Sequence, residues 1–161
     1  MSLPVYFYLP PDQWPDPIPP RYDLSWSGFG DGYYNWTLQT YLMLRDHNVP
    51  CELVNDVRGK KGIVIAHRAS LKETFKAEPD QLLVCIQADW GRHPYAQVHV
   101  CQNIAQTRPD GSHLFYRLFW PANTYFVHHW PQPDLIARDQ DRPSALNTLA
   151  YFGLDYNLAP E

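Results

Sequence analysis

The sequence has little of what would assign a function quickly. It has no excess of positive charge: 13 Lys and Arg stand against 17 Asp and Glu, a formal net charge of −4 at pH 7. Nothing in that balance supplies the basic face that nucleic acid or an anionic membrane surface requires. No run approaches the roughly 18 apolar residues of a membrane-spanning helix. Cysteines are few, odd in number and widely spaced, at Cys51, Cys85 and Cys101. No Cys-x-x-Cys pair exists from which to build a zinc ribbon or a redox motif. Cys85 and Cys101 sit inside apolar runs, where a free thiol behaves as a small hydrophobe and fits a reducing compartment. The N-terminus lacks the basic stretch and apolar core of a signal peptide, so the expectation is a cytoplasmic protein. No Gly-x-Ser-x-Gly elbow, Walker lysine or glycosidase carboxylate pair is visible.

What is present is a core and many loops. Apolar residues make up 45% of the 161, enough to bury one domain of ordinary size. The 16 prolines mark loops, because proline fixes φ and removes a backbone donor. Short apolar runs at 4–10, 51–56, 62–67, 81–88, 96–103, 123–130 and 146–153 read as strands. Most are apolar throughout rather than alternating, as in a parallel sheet covered on both faces. One stretch, 34–49, has helical spacing through Trp36, Leu38, Tyr41, Leu42 and Leu44. The spacing elsewhere is short, so some crossovers are loops or single turns. Residues 10–27 form a proline-rich loop, and 131–145 read as a linker. The fold class is therefore α/β, with a mostly parallel sheet flanked by helices.

"SGFGDGYYNW", residues 27–36, places Gly28, Gly30 and Gly32 between the first strand and the helix. Glycine lets backbone approach a ligand with no Cβ in the way, and a helix start offers free N–H groups. The spacing Gly-x-Gly-x-Gly is not the dinucleotide Gly-x-Gly-x-x-Gly. Two uses stay open. One is a turn, with positive φ at the glycines and Asp31 as helix cap. The other is a loop that faces a phosphate or a sugar.

The order of parts, with "DHNVPCELV", "GIVIAHR", "TYFVHHWPQPDL" and "LAYFGLDYNLAPE", resembles the N-terminal half of a GT-B glycosyltransferase. More closely, "HPYAQVHVCQN", "HWPQPDLIARD", "LAYFG" and "NLAPE" resemble a group of bacterial, chiefly cyanobacterial, glycosyltransferases. The resemblance implies a single Rossmann-like acceptor-side domain over 1–145, and the start of a second domain over 146–161. It implies transfer of a sugar from a nucleotide-sugar donor to a glycan or lipid acceptor. The nucleotide sugar is then a donor substrate, with no tightly bound cofactor or metal. It places Gly28, Gly30, Asp31 and Gly32 against the substrate, with Arg68, and gives the catalytic roles to His67 and Asp89. The family has a His after the strand that "LLVCIQAD" resembles, and Gln87 followed by Asp89 stands there instead. The donor domain would begin where residue 161 falls, so the expected domain is inactive without it, and a homodimer or a partner domain is the expected assembly. The alternative is a non-catalytic binding or assembly module that keeps the fold.

Other candidates are weaker. His128, His129 and Trp130 come at a strand end, but adjacent strand residues point to opposite faces and do not share one metal. His93 reads as a turn residue, and His99 as a satisfied core histidine. "NWT" at Asn35 matches a glycosylation sequon by chance. Trp14, Trp26, Tyr33, Tyr34 and Trp90 cluster near loops, where aromatic faces stack on sugars or pack under the proline loop.

Overall fold

The computed structural model describes residues 3–88, 90–107 and 123–128. Six strands form one sheet: β1 Val5–Tyr8, β2 Glu52–Val54, β3 Gly62–His67, β4 Gln81–Ile86, β5 Val98–Cys101 and β6 Thr124–Phe126. Every pairing among them is parallel, in the order β2-β1-β3-β4-β5-β6. Each lies within an apolar run of the sequence. The linker at 131–145, the boundary at 145/146, the run at 146–153 and residues Asp89, His129 and Trp130 lie outside the described residues.

The helical cover is thinner than the pattern of buried strands suggests. One helix, α1 Gln39–Asp46, is the only full α-helix among the described residues, and short single turns make up the rest. The register explains how the sheet is still covered. Tyr6, Val64 and Leu83 share one face with Ala66 and Cys85. Val57, Leu71, Phe75, Ala77 and Ala96 pack on that face, all from the loops between β2 and β5. These connections all step towards β6, so right-handed crossover sends them over the same face. The step from β1 to β2 goes the other way, and its helix lies on the opposite face. There Leu38 and Leu42 pack with Leu9, Phe29 and Leu53.

α1 continues a helical run that starts earlier. Asp31 is extended, with φ −85° and ψ 129°, and its carbonyl accepts the Asn35 N–H at 2.9 Å. The first turns are wound wide, since the Gln39 N–H returns to the Tyr34 carbonyl five residues back. The run stops at Asn48, which takes φ 57°, a conformation asparagine tolerates. The Val49 N–H then caps the Leu44 carbonyl at 2.9 Å. No helix among the described residues is long and apolar enough to cross a membrane.

Strand order decides where a site can form. From β1 the chain goes to one side for β2 and to the other for β3. This reversal, between β1 and β3, is a switch point, the place where open α/β sheets hold ligands at the carboxyl ends of their strands.

Candidate functional site

His67 ends β3 at that switch point. Its backbone N–H donates to Thr37 Oγ1 at 3.2 Å, which ties β3 to the wide first turns of the helix. Its Nδ1 accepts the Ala69 N–H at 3.1 Å. A neutral ring held this way carries its proton on Nε2. That nitrogen faces Gly32: a Cβ built there would lie 3.4 Å from it. Gly32 and His67, two residues picked out from the sequence, therefore meet at the switch point.

The three glycines do different things. None has a positive φ, so the turn requiring left-handed backbone is not their purpose; among the described glycines only Gly59 and Gly62 have one. Gly28 is bare because the Trp26 indole lies directly on it. Its freedom serves packing within the chain, not a ligand. Gly30 is exposed, and no atom lies within 4 Å of the position its Cβ would take. Nothing in the fold requires glycine there. Asp31 is exposed and caps the helical run with its carbonyl, while its carboxylate accepts the Tyr33 hydroxyl at 3.2 Å. Burial and the Asp31 charge together push the Tyr33 phenol up to about 12, so it stays a hydrogen-bond donor.

Polar side chains that the sequence did not mark hold this corner together. Asn35 Nδ2 donates to the Phe29 carbonyl at 3.3 Å and to Gln39 Oε1 at 3.0 Å. Gln39 Nε2 reaches the Tyr22 carbonyl at 3.0 Å. Ser70 Oγ donates to Gln13 Oε1 at 2.7 Å, which fastens the proline loop beside His67. Asn35 and Thr37 are buried, so the sequon carries no glycan in the folded chain. Their only sequence signal was polar residues on the inward side of a helical stretch.

Arg68 follows His67 but turns away from the glycine corner. It is buried, donates to the Leu71 carbonyl at 2.9 Å and pairs with Glu73. Both partners belong to the loop over the opposite face, where Leu71 is part of the core. The sequence placed Arg68 and His67 in one site; their partners lie on different faces. Behind Arg68, burial pushes the Cys85 thiol up to about 11, which leaves it un-ionised and inert. His99 is a satisfied core histidine: Nδ1 accepts from Arg92 at 2.8 Å and Nε2 donates to the His93 carbonyl at 3.2 Å. His93 is buried too, and its Nε2 donates to the Lys72 carbonyl at 3.0 Å.

Of the predicted site, then, Gly30, Asp31, Gly32 and His67 gather at one rim. Gly28 and Arg68 serve internal contacts, and Asp89 lies outside the described residues. No family model matches the chain, and no curated protein or solved structure matches it significantly.

Proposed function

We propose that this chain is the acceptor-side domain of a GT-B-type glycosyltransferase, which moves a sugar from a nucleotide donor to a glycan or lipid acceptor. The observation that carries the reading is the approach of bare Gly32 to His67 Nε2 at the switch-point rim. An exposed backbone stretch at the start of a long helical run can lie against a phosphate or a hydroxyl. His67 adds an N–H donor to it. With Nδ1 already taken by Ala69, the ring suits stabilising charge on an oxygen better than removing a proton. The Rossmann-like half remains part of this reading. The sheet departs from the dinucleotide order 3-2-1-4-5-6 and begins with the other common doubly wound order, 2-1-3-4-5, whose ligand also lies at the switch point between β1 and β3.

A second reading, a non-catalytic binding module, is favoured by Gln87. It is buried and cannot titrate, and it stands where the resembling group has a histidine. One pair of experiments separates the two. The backbone amides of Gly30 and Gly32 are followed by NMR while UDP-glucose, then GDP-mannose, is added. Turnover is assayed on the full reading frame containing this chain. Shifts with turnover support the transferase. Shifts without turnover leave the binding module. Neither shifts nor turnover removes both.

A further inference from the structure

Arg92, in the connection between β4 and β5, holds two strands at once. One guanidinium nitrogen donates to Thr124 Oγ1 on β6 at 2.8 Å, and the other to His99 Nδ1 on β5 at 2.8 Å. The register sets these two residues side by side, since His99 faces Thr124. His99 Nε2 donates to the His93 carbonyl at 3.2 Å, and His93 Nε2 donates to the Lys72 carbonyl at 3.0 Å. One line of hydrogen bonds thus runs from the 68–80 connection through β5 to β6.

Arg92 fixes the polarity of that line. A guanidinium only donates and keeps its proton, so His99 Nδ1 has to accept. The ring is therefore neutral, with its one proton on Nε2. A second proton has a single place to go, Nδ1, where it meets the Arg92 N–H. Donor then faces donor and cation faces cation, so the contact cannot persist in that form. His99 is 2% exposed, so little water reaches the ring to offset the repulsion. The described groups that act on it are Arg92 and His93 from the 87–97 connection and Arg68 from the turn after β3. Cys85 lies opposite it on β4, and Cys101 is two places on along its own strand. None of these is an anion at acid pH. Glu73, from the 68–80 connection, is paired with Arg68. The ring accordingly resists its second proton, which it takes at about 4.

β6 depends on side-chain contacts more than the other strands do. It is three residues long and outermost among the described strands, and none of its residues is buried. The Val127 N–H, just beyond it, donates to the Cys101 carbonyl at 3.0 Å and closes the β5–β6 pairing. An element with so little buried apolar surface opens locally, well before the whole chain unfolds. We infer that Arg92, His99 and Thr124 form an acid-released clasp on β6: a neutral His99 seats the guanidinium on Thr124, and a protonated His99 drives it off and frees the strand. The clasp is shut above the ordinary histidine value of about 6.5 and loosens as pH falls below it. It stands whether or not the chain transfers sugars.

The test is amide hydrogen exchange of the labelled full chain, followed by NMR from pH 7.5 to 4.5 and expressed as protection over the intrinsic rate. The Leu9 and Ile63 amides report the β1–β2–β3 pairings, and the Val127 amide reports β6. Val127 is expected to be less protected than Leu9 and Ile63 at every pH. Its protection should fall by up to tenfold per pH unit below about 6, the limit for one proton. Thr124→Val keeps a β-branched strand residue and removes only the hydroxyl. It should lower Val127 protection at pH 7 about tenfold and leave Leu9 and Ile63 as they were. His99→Gln can still accept from Arg92 but does not titrate, so it should flatten the Val127 profile. Equal protection of all three amides at every pH would mean global unfolding alone and would overturn the clasp. So would a Thr124→Val chain with unchanged Val127 protection, or a pH slope that survives in His99→Gln.

Discussion

The two ends of the sheet are built on opposite principles, and two glutamines show it. Gln81 opens β4 at the amino rim; Gln87 follows it at the carboxyl rim. Both are buried. Gln81 Nε2 donates to the Val57 and Lys60 carbonyls at 2.6 and 2.9 Å, and its Oε1 accepts the Glu78 N–H at 3.0 Å. One side chain thus closes the loops before β3 and before β4. Around it the rim is complete: Glu78 takes the Gly59 N–H, and Lys61 pairs with Asp80. At the carboxyl rim Gln87 keeps an unused oxygen, and Gly30 stands open. The amino rim is finished by the protein itself. Among the described residues, the carboxyl rim keeps a spare amide at Gln87.

Glycine substitutions test the contrast most sharply. Gly62 at the amino rim has φ 140°, and a Cβ there would collide with the Pro4 carbonyl, which accepts the Ile63 N–H at 2.8 Å. Gly62→Ala is expected to cost about 4 kcal/mol or more, read as a shift of the urea midpoint. A cost below about 1 kcal/mol would mean that the β1–β3 pairing at this end is loose.

Next comes Gln81→Leu, which strands three backbone groups and is expected to cost about 3 kcal/mol. His99, between the two rims, should match it in size through pH. Burial, reinforced by the Arg92 charge, holds its ring down to about 4. Between about 4 and the unfolded value near 6.5 the unfolded chain binds the extra proton. Stability is therefore complete above the unfolded value and falls as pH drops towards 4, by on the order of 3 kcal/mol. Replacing His99 by Gln should flatten that slope, and an unchanged slope would assign it to other groups.

The carboxyl-rim changes should be smaller and of opposite sign. Gln87→Leu removes an unsatisfied amide and is expected to stabilise by about 1 kcal/mol. If it destabilises as Gln81→Leu does, the two ends are alike and the rim holds no spare polar group. Gly30→Ala, with open space and no positive φ, should change stability by about 0.5 kcal/mol or less. Any larger effect it has on nucleotide-sugar binding would then come from the ligand rather than the fold.

The strands were legible because each buried one is a short apolar run, and six such runs match β1 to β6. The helix was legible from its spacing, although the wide turns at Tyr34–Leu38 were not. Those turns place buried Asn35 against the glycine stretch and Thr37 against the end of β3, contacts that no periodicity encodes. Among the described residues the expected flanking helices reduce to one, because the connections 55–61, 68–80 and 87–97 are short and cover the sheet as loops. The glycine corner and His67 were named from the sequence, and they meet. Arg68 was named with them, but its buried partners Leu71 and Glu73 draw it to the other face.

By itself the sequence determined which segments become strands, since burying apolar runs is the dominant gain and needs only the pattern of residue types. It also placed the bare backbone ahead of the helix. Only the tertiary structure decided what each polar residue does. Gln81 and Gln87 are the same side chain six positions apart, and what separates them is whether three backbone groups from distant loops arrive within hydrogen-bond distance.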